Sequence, residues 1–201
     1  GILDVDFKEQ TSAAGKNVIA ISESIQTNTA GFSYFPNPFY EIGSDVFISR
    51  AYSNPLFINS KLTNYDYETL VHEIGHALGL KHPFESDGEN AVVLDALEDQ
   101  TRYTAMSYDD YSFTFDGTFR ALDWMALTKL YGVNSSYLSG DDIYNFNRSE
   151  GIFIIDGGGF DTIDCETYTS NLFVFHKYSI YLFGDLINGS NTKISTERST
   201  K

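Results

Sequence analysis

Apolar and polar positions alternate through the first sixty residues in short β-branched or aromatic runs, at 3–7, 18–21, 32–35 and 46–48. A period of two predicts strands with one buried face. Turn-forming stretches such as Ala14-Gly15-Lys16-Asn17, Pro36-Asn37-Pro38 and Gly43-Ser44-Asp45 separate them. Between 67 and 80 the period changes. Leu70, Val71, Ile74, Ala77 and Leu78 recur at helical spacing behind a polar start at 64–66, and Gly79 is placed to end the helix through positive φ. An acidic, loop-rich stretch covers 83–100. A second amphipathic helix is expected over 118–132, with Leu122, Met125, Ala126 and Leu130 on its apolar face. Beyond Asn134 the strand pattern returns at 143–146, 152–155, 172–175 and 180–183, divided by Gly and Asp turns. The expected fold class is α+β, organised as one domain over 1–133 and a small β unit over 134–201.

The totals narrow the partners. With 201 residues, 42% of them hydrophobic, the chain can bury a core. Its formal charge of −15, from 28 acidic against 13 basic residues, repels phosphate backbones and anionic headgroups, so neither nucleic acid nor a membrane surface is expected as a partner. Abundant Asp and Gly suit calcium, which takes carboxylate and carbonyl oxygens. Cys165 stands alone and forms no internal disulfide. No apolar run reaches the length of a membrane-spanning helix. Gly1-Ile2-Leu3-Asp4 is not a signal peptide, and the start reads as the inside of a longer precursor.

The chemistry concentrates in His72-Glu73-Ile74-Gly75-His76-Ala77-Leu78-Gly79-Leu80-Lys81-His82. Residues four apart share a helix face, so His72 and His76 can offer two imidazole nitrogens to one metal. Gly79 lets the chain leave the helix and bring His82 round as a third. Three neutral histidines leave one tetrahedral position for water, the open arrangement of catalytic zinc. Glu73 points about 100° away from His72 round the helix, where a general base would meet that water. Only four histidines exist, and three fall in this register; His176, in a β run, is read as a surface or satisfied histidine rather than a ligand. The motif followed by Met106 in Tyr103-Thr104-Ala105-Met106-Ser107-Tyr108 is the metzincin signature with its Met-turn.

The sequence here resembles the serralysins, secreted bacterial zinc endopeptidases within the metzincins. The likeness extends to Glu98-Asp99-Gln100-Thr101-Arg102-Tyr103 before Met106, to Leu122-Asp123-Trp124-Met125-Ala126-Leu127 and to Gly140-Asp141-Asp142-Ile143-Tyr144. It implies a metzincin catalytic domain with a twisted mixed sheet, an active-site helix and a Met-turn, followed by the start of a calcium-binding β-roll. By position it implies His72, His76 and His82 as zinc ligands, Glu73 as base, and Tyr108 as a further zinc ligand and oxyanion donor. Met106 would lie beneath the histidines, and Gly31, Phe32, Ser33 and Tyr34 would form the edge strand that pairs with an extended protein or peptide substrate. Asp156 and Asp161 with the carbonyls of Gly158 and Gly159 would bind calcium opposite backbone oxygens of Leu138, Gly140 and Asp142, and Glu197 would complete a second site. The resemblance also implies a secreted or cell-surface location. It leaves the family's first helix to an upstream segment or a second chain, and most of the calcium repeats unaccounted for. Two rival readings are a calcium-dependent adhesion module with an idle zinc site, and an internal self-processing protease domain of a larger protein.

Overall fold

The computed structural model describes residues 1–12, 15, 17–52, 62–86, 90–109, 117–145 and 153–164, with the backbone alone at 174–177, 180–183 and 193–197. Cys165 and the side chains of His176 and Glu197 lie outside the described residues. The chain divides into two compact units, Lys8–Leu127 and Gly1–Phe7 with Thr128–Lys201.

In the first unit β1 (Ile21–Ser24), β2 (Gly31–Ser33) and β3 (Val46–Ser49) form a mixed sheet of order β1-β3-β2. β1 runs parallel to β3 and β2 antiparallel to it. The predicted strand at 18–21 is displaced: pairing begins only at Ile21, because its partner strand begins at Val46. Val46 and Ile48 face a helix and pack with Ala77, Ile19 and Leu70. Phe47 points to the opposite face, where its ring stacks on Phe32 at 4.7 Å.

β2 is an edge strand, and its ladder shows which amides face outward. Ser49 N–H donates to Ala30 O and Tyr34 N–H to Asp45 O, so the even-numbered residues turn their backbone groups to β3. Alternation then turns those of Gly31 and Ser33 to the open side. Thr29 Oγ1 meets Gly31 O there at 2.7 Å.

Helix α1 (Asn64–Ala77) starts at a capping box: Thr63 Oγ1 accepts from Asp66 N–H and the Asp66 carboxylate accepts from Thr63 N–H. It stops at a glycine turn. Gly79, at φ 96°, donates to His76 O, and Leu80 N–H reaches back to Gly75 O, the paired bonds of a Schellman motif. The predicted apolar face needs correction here. Val71 and Ile74 are half-buried, whereas Asp66, Thr69, His72, Glu73 and His76 are buried, so much of the inward stripe is polar. A buried polar stripe is stable only when each group has a partner.

Helix α2 (Ala121–Tyr131) turns a different side inward from the one expected. Leu130 is 57% exposed and Leu122, Met125 and Ala126 are half-buried, while Asp123 and Leu127 are buried a turn apart.

In the second unit the expected strand at 3–7 shrinks to a single bridge between Leu3 and Val133, flanked by a bond from Asp4 N–H to Gly132 O. Two three-stranded sheets follow. One joins β4 (Ile143–Asn145), β6 (Phe160–Asp164) and β9 (Lys193–Glu197); the other joins β5 (Ile154–Ile155), β8 (Ile180–Phe183) and β7 (Val174–Lys177). β6 and β9 were not expected from the pattern, because Phe160 to Asp164 follows directly on a run of three glycines that reads as a turn. Among the described residues no helix is long and apolar enough to cross a membrane.

Candidate metal centre

His72 and His76 stand one turn apart on α1, and the glycine turn brings His82 against both. His82 Nε2 lies 3.1 Å from His72 Nε2 and 3.1 Å from His76 Nε2. The other ring nitrogens face acceptors. His72 Nδ1 is 2.8 Å from Ala105 O, His76 Nδ1 is 2.7 Å from Leu80 O, and His82 Nδ1 is 2.9 Å from Glu85 Oε2. The last contact is close but too poorly aligned to count as a hydrogen bond. A carbonyl oxygen can only accept, so Nδ1 of His72 and His76 carries the proton and their Nε2 atoms are bare lone pairs. Three Nε2 atoms this close, two of them bare, need a cation among them or the His82 proton between them. Zinc–nitrogen bonds of about 2.0–2.1 Å in a tetrahedron separate neighbouring nitrogens by roughly 3.3 Å, close to the spacing found. The cluster therefore fits zinc. Burial drives His72 down to about 4 and lowers His76 as well, which keeps both rings neutral and ready to ligate at pH 7.

These acceptors come from the local folds already described. Leu80 O is in place because of the Schellman turn that ends α1. Ala105 O is held from α2: the buried Asp123 carboxylate accepts from Thr104 Oγ1 at 2.6 Å, Ala105 N–H at 2.7 Å and Arg120 N–H at 2.9 Å. Desolvation raises the Asp123 pKa, and these donors pull it back. Met106 is buried beside α1, and a Cβ on Gly75 would collide with its sulfur, so Gly75 and Met106 fit as a pair.

Glu73 is 5% exposed and points from α1 to β2. Ser33 Oγ lies 2.9 Å from its Oε2 and 2.7 Å from its main-chain oxygen. Burial pushes the Glu73 carboxyl up to about 7, against the downward pull of the Ser33 hydroxyl. Tyr108 is 67% exposed, and its hydroxyl sits 2.9 Å from His82 Nε2. Burial and the charges of Glu73 and Glu85 raise its pKa, so it holds its proton. Glu73, His72 and Tyr108 line one cleft of about 310 Å³ together with Gly31, Thr69 and Ala105. Of the four edge-strand residues Gly31 and Ser33 reach Glu73, while Phe32 and Tyr34 turn to the aromatic face with Phe47.

The second unit brings Asp142, Asp156 and Asp161 together, with carboxylate oxygens within 4.8 Å of one another. Asp156 and Asp161 are buried. Gly158 N–H donates to Asp156 Oδ1 at 2.8 Å and Asp142 N–H to Asp161 Oδ1 at 3.0 Å. Burial and the neighbouring carboxylates raise Asp161. Gly159, at φ 121°, has no room for a Cβ because Gly140 O lies against it. Leu138 holds a left-handed φ of 45°. The carbonyl of Asp142 accepts from Thr162 N–H, and the Asp142 carboxylate joins the cluster.

Asp123 and Glu85 were not singled out from sequence, and Ser33 was expected only as part of the substrate strand, not for its contact with Glu73. Only Asp123 left a local signal: it is the third residue of α2 and caps the Arg120 N–H, but with Arg120 in place of a Ser or Thr the usual pattern is missing.

Residues 16–141 match the Peptidase_M43 family model, described as pregnancy-associated plasma protein-A. The chain belongs to the M43 peptidase family. The match takes in every residue of the histidine cluster together with Glu73, Met106 and Tyr108. This M43 chain is also serralysin-like. It is 37% identical over 129 residues to serralysin of Proteus mirabilis, covering 52% of the chain and 26% of that relative. It is 30% identical to serralysin G of Dickeya chrysanthemi, covering 83% of the chain and 39% of the relative. With metallopeptidase AprA of Pseudomonas marginalis it shares 33% over 202 residues, covering 85% and 42%. The M43 chain thus spans at most about two-fifths of the length of these curated relatives.

Proposed function

We propose that this chain is a zinc-dependent endopeptidase that hydrolyses peptide bonds of proteins. The observation that carries the reading is the convergence of three Nε2 atoms beside Glu73, a buried carboxylate that zinc binding does not need. His72, His76 and His82 would hold the ion, with Tyr108 as a further ligand. When bound, zinc supplies Lewis acidity toward the scissile carbonyl and the attacking water. Glu73 takes the water's proton and passes it to the leaving amine, a task suited to a carboxyl whose pKa is near the working pH. The Tyr108 phenol donates to the substrate carbonyl oxygen as charge develops there. No covalent acyl-enzyme forms.

In the same reading the substrate lies extended along β2, bonding to the outward amides of Gly31 and Ser33. Residues 1–133 would be the catalytic domain, with Met106 as its Met-turn, and 134–201 the start of a β-roll. There Asp142, Asp156 and Asp161 would bind calcium with carbonyls from Leu138, Gly140, Gly158 and Gly159, and Glu197 would serve a second ion. The serralysin likeness supports a secreted or cell-surface setting.

Two measurements test this. Metal analysis should find about one zinc per chain, and casein hydrolysis should stop on removal of that zinc with 1,10-phenanthroline and return when it is restored. Hydrolysis that persists in the metal-free chain would refute the reading. Calcium should raise the melting temperature of the native chain but not of Asp156→Ala; an equal rise in both would remove the calcium assignment.

A further inference from the structure

The peptidase reading makes Glu73 the general base, so the direction of its carboxyl group must be fixed. β2 contains a socket that does this. On one side Gly31 leaves space for the Glu73 side chain: a Cβ at 31 would come within 2.8 Å of Glu73 Cγ and Oε1. On the other, Ser33 Oγ is within hydrogen-bond distance of two Glu73 oxygens, the carboxylate Oε2 at 2.9 Å and the main-chain carbonyl at 2.7 Å.

A hydroxyl has one proton and two lone pairs. With Glu73 ionised, Ser33 donates its proton to Oε2. The same hydroxyl lies 2.7 Å from the Glu73 main-chain oxygen, so it is tethered to this residue at two points. An alanine at 33 would provide neither bond.

We infer that Ser33 is a positioning residue for the general base, fastening Glu73 to the same strand that would carry the substrate. The inference rests on the peptidase reading. It goes further by making base alignment a property of the edge strand: the outward amides of Ser33 would meet the peptide while its side chain holds the group that acts on it.

The test compares wild type, Ser33→Ala and Ser33→Thr, each loaded with zinc, on one chromogenic peptide. Ser33→Ala should lower kcat about tenfold or more, the loss expected for a hydrogen bond to a charged group. KM should stay within about twofold and zinc content should not change. Ser33→Thr keeps the hydroxyl and should recover most of kcat. Equal kcat in wild type and Ser33→Ala overturns the inference while leaving the peptidase reading intact. So does a loss that appears in KM or in zinc content, or one that threonine does not repair. A wild type that loads zinc and cleaves nothing overturns both.

Discussion

Glu73→Gln is expected to lower kcat/KM by about 10²- to 10⁴-fold, the range for removal of a general base, with zinc content unchanged. The amide fills the same socket between Gly31 and Ser33 but cannot take a proton. Since the histidine cluster does not include residue 73, metal retention separates loss of the base from loss of the site. Equal casein clearing by variant and wild type would sink the enzyme reading and favour an adhesion module with an idle metal site. The same substitution has a second, opposite effect on the metal-free chain. The folded state raises the Glu73 pKa from 4.5 to about 7, so it binds the proton more tightly than the unfolded chain does. The stability this group contributes is complete below pH 4.5 and is lost as pH rises through 7. Above pH 7 the buried charge costs on the order of 3 kcal/mol, at 1.36 kcal/mol per tenfold change in proton affinity. Metal-free Glu73→Gln should therefore melt above metal-free wild type at pH 8, and the gap should close below pH 4.5. A gap that does not vary with pH would show that Glu73 is not strained by burial.

Asp123→Ala should destabilise the fold by about 3–5 kcal/mol, the scale for removing one partner from a buried charged network. Three donors lose their acceptor at once: Thr104 Oγ1, Ala105 N–H and Arg120 N–H. The damage should also reach the metal. Ala105 O orients His72, and loss of such a supporting contact typically weakens metal affinity about 10- to 100-fold. Thermal melts and a zinc titration with a competing chelator would measure the two effects separately. A variant that is destabilised but binds zinc as tightly as wild type would show that Ala105 keeps its place without Asp123.

The histidine cluster was legible in the sequence because a helix converts spacing directly into facing. His72 and His76 lie one turn apart, and Gly79 announces the turn that returns His82. The supports of that cluster were not legible. Ser33 meets Glu73 across 40 residues and His72 meets Ala105 across 33, and no period along the chain encodes contacts of that range. The strands were found wherever apolar residues alternated within a partnered segment, as at 46–48. They failed where pairing rather than composition sets the boundary: Leu3 reaches only one bridge, and β6 begins within three residues of glycines that suggest a turn. The inward face of α1 was misjudged for a physical reason of its own. This helix buries its histidines and its carboxylates, and Val71 and Ile74 are left half-buried.

The glycine turn after α1 has a consequence for how the centre assembles. His72 and His76 are four residues apart and His76 and His82 six, so an ion bridging them closes very short loops. Closing such loops restricts the chain little, since closure entropy grows with the logarithm of loop length. On the zinc reading, the three histidines would thus gather locally, with little dependence on the sheet. The contacts that make those histidines useful, to Ala105 and from Ser33 to Glu73, close much longer loops and must wait for tertiary structure. On the zinc reading, capture of the ion and competence to use it would therefore be separate events in folding.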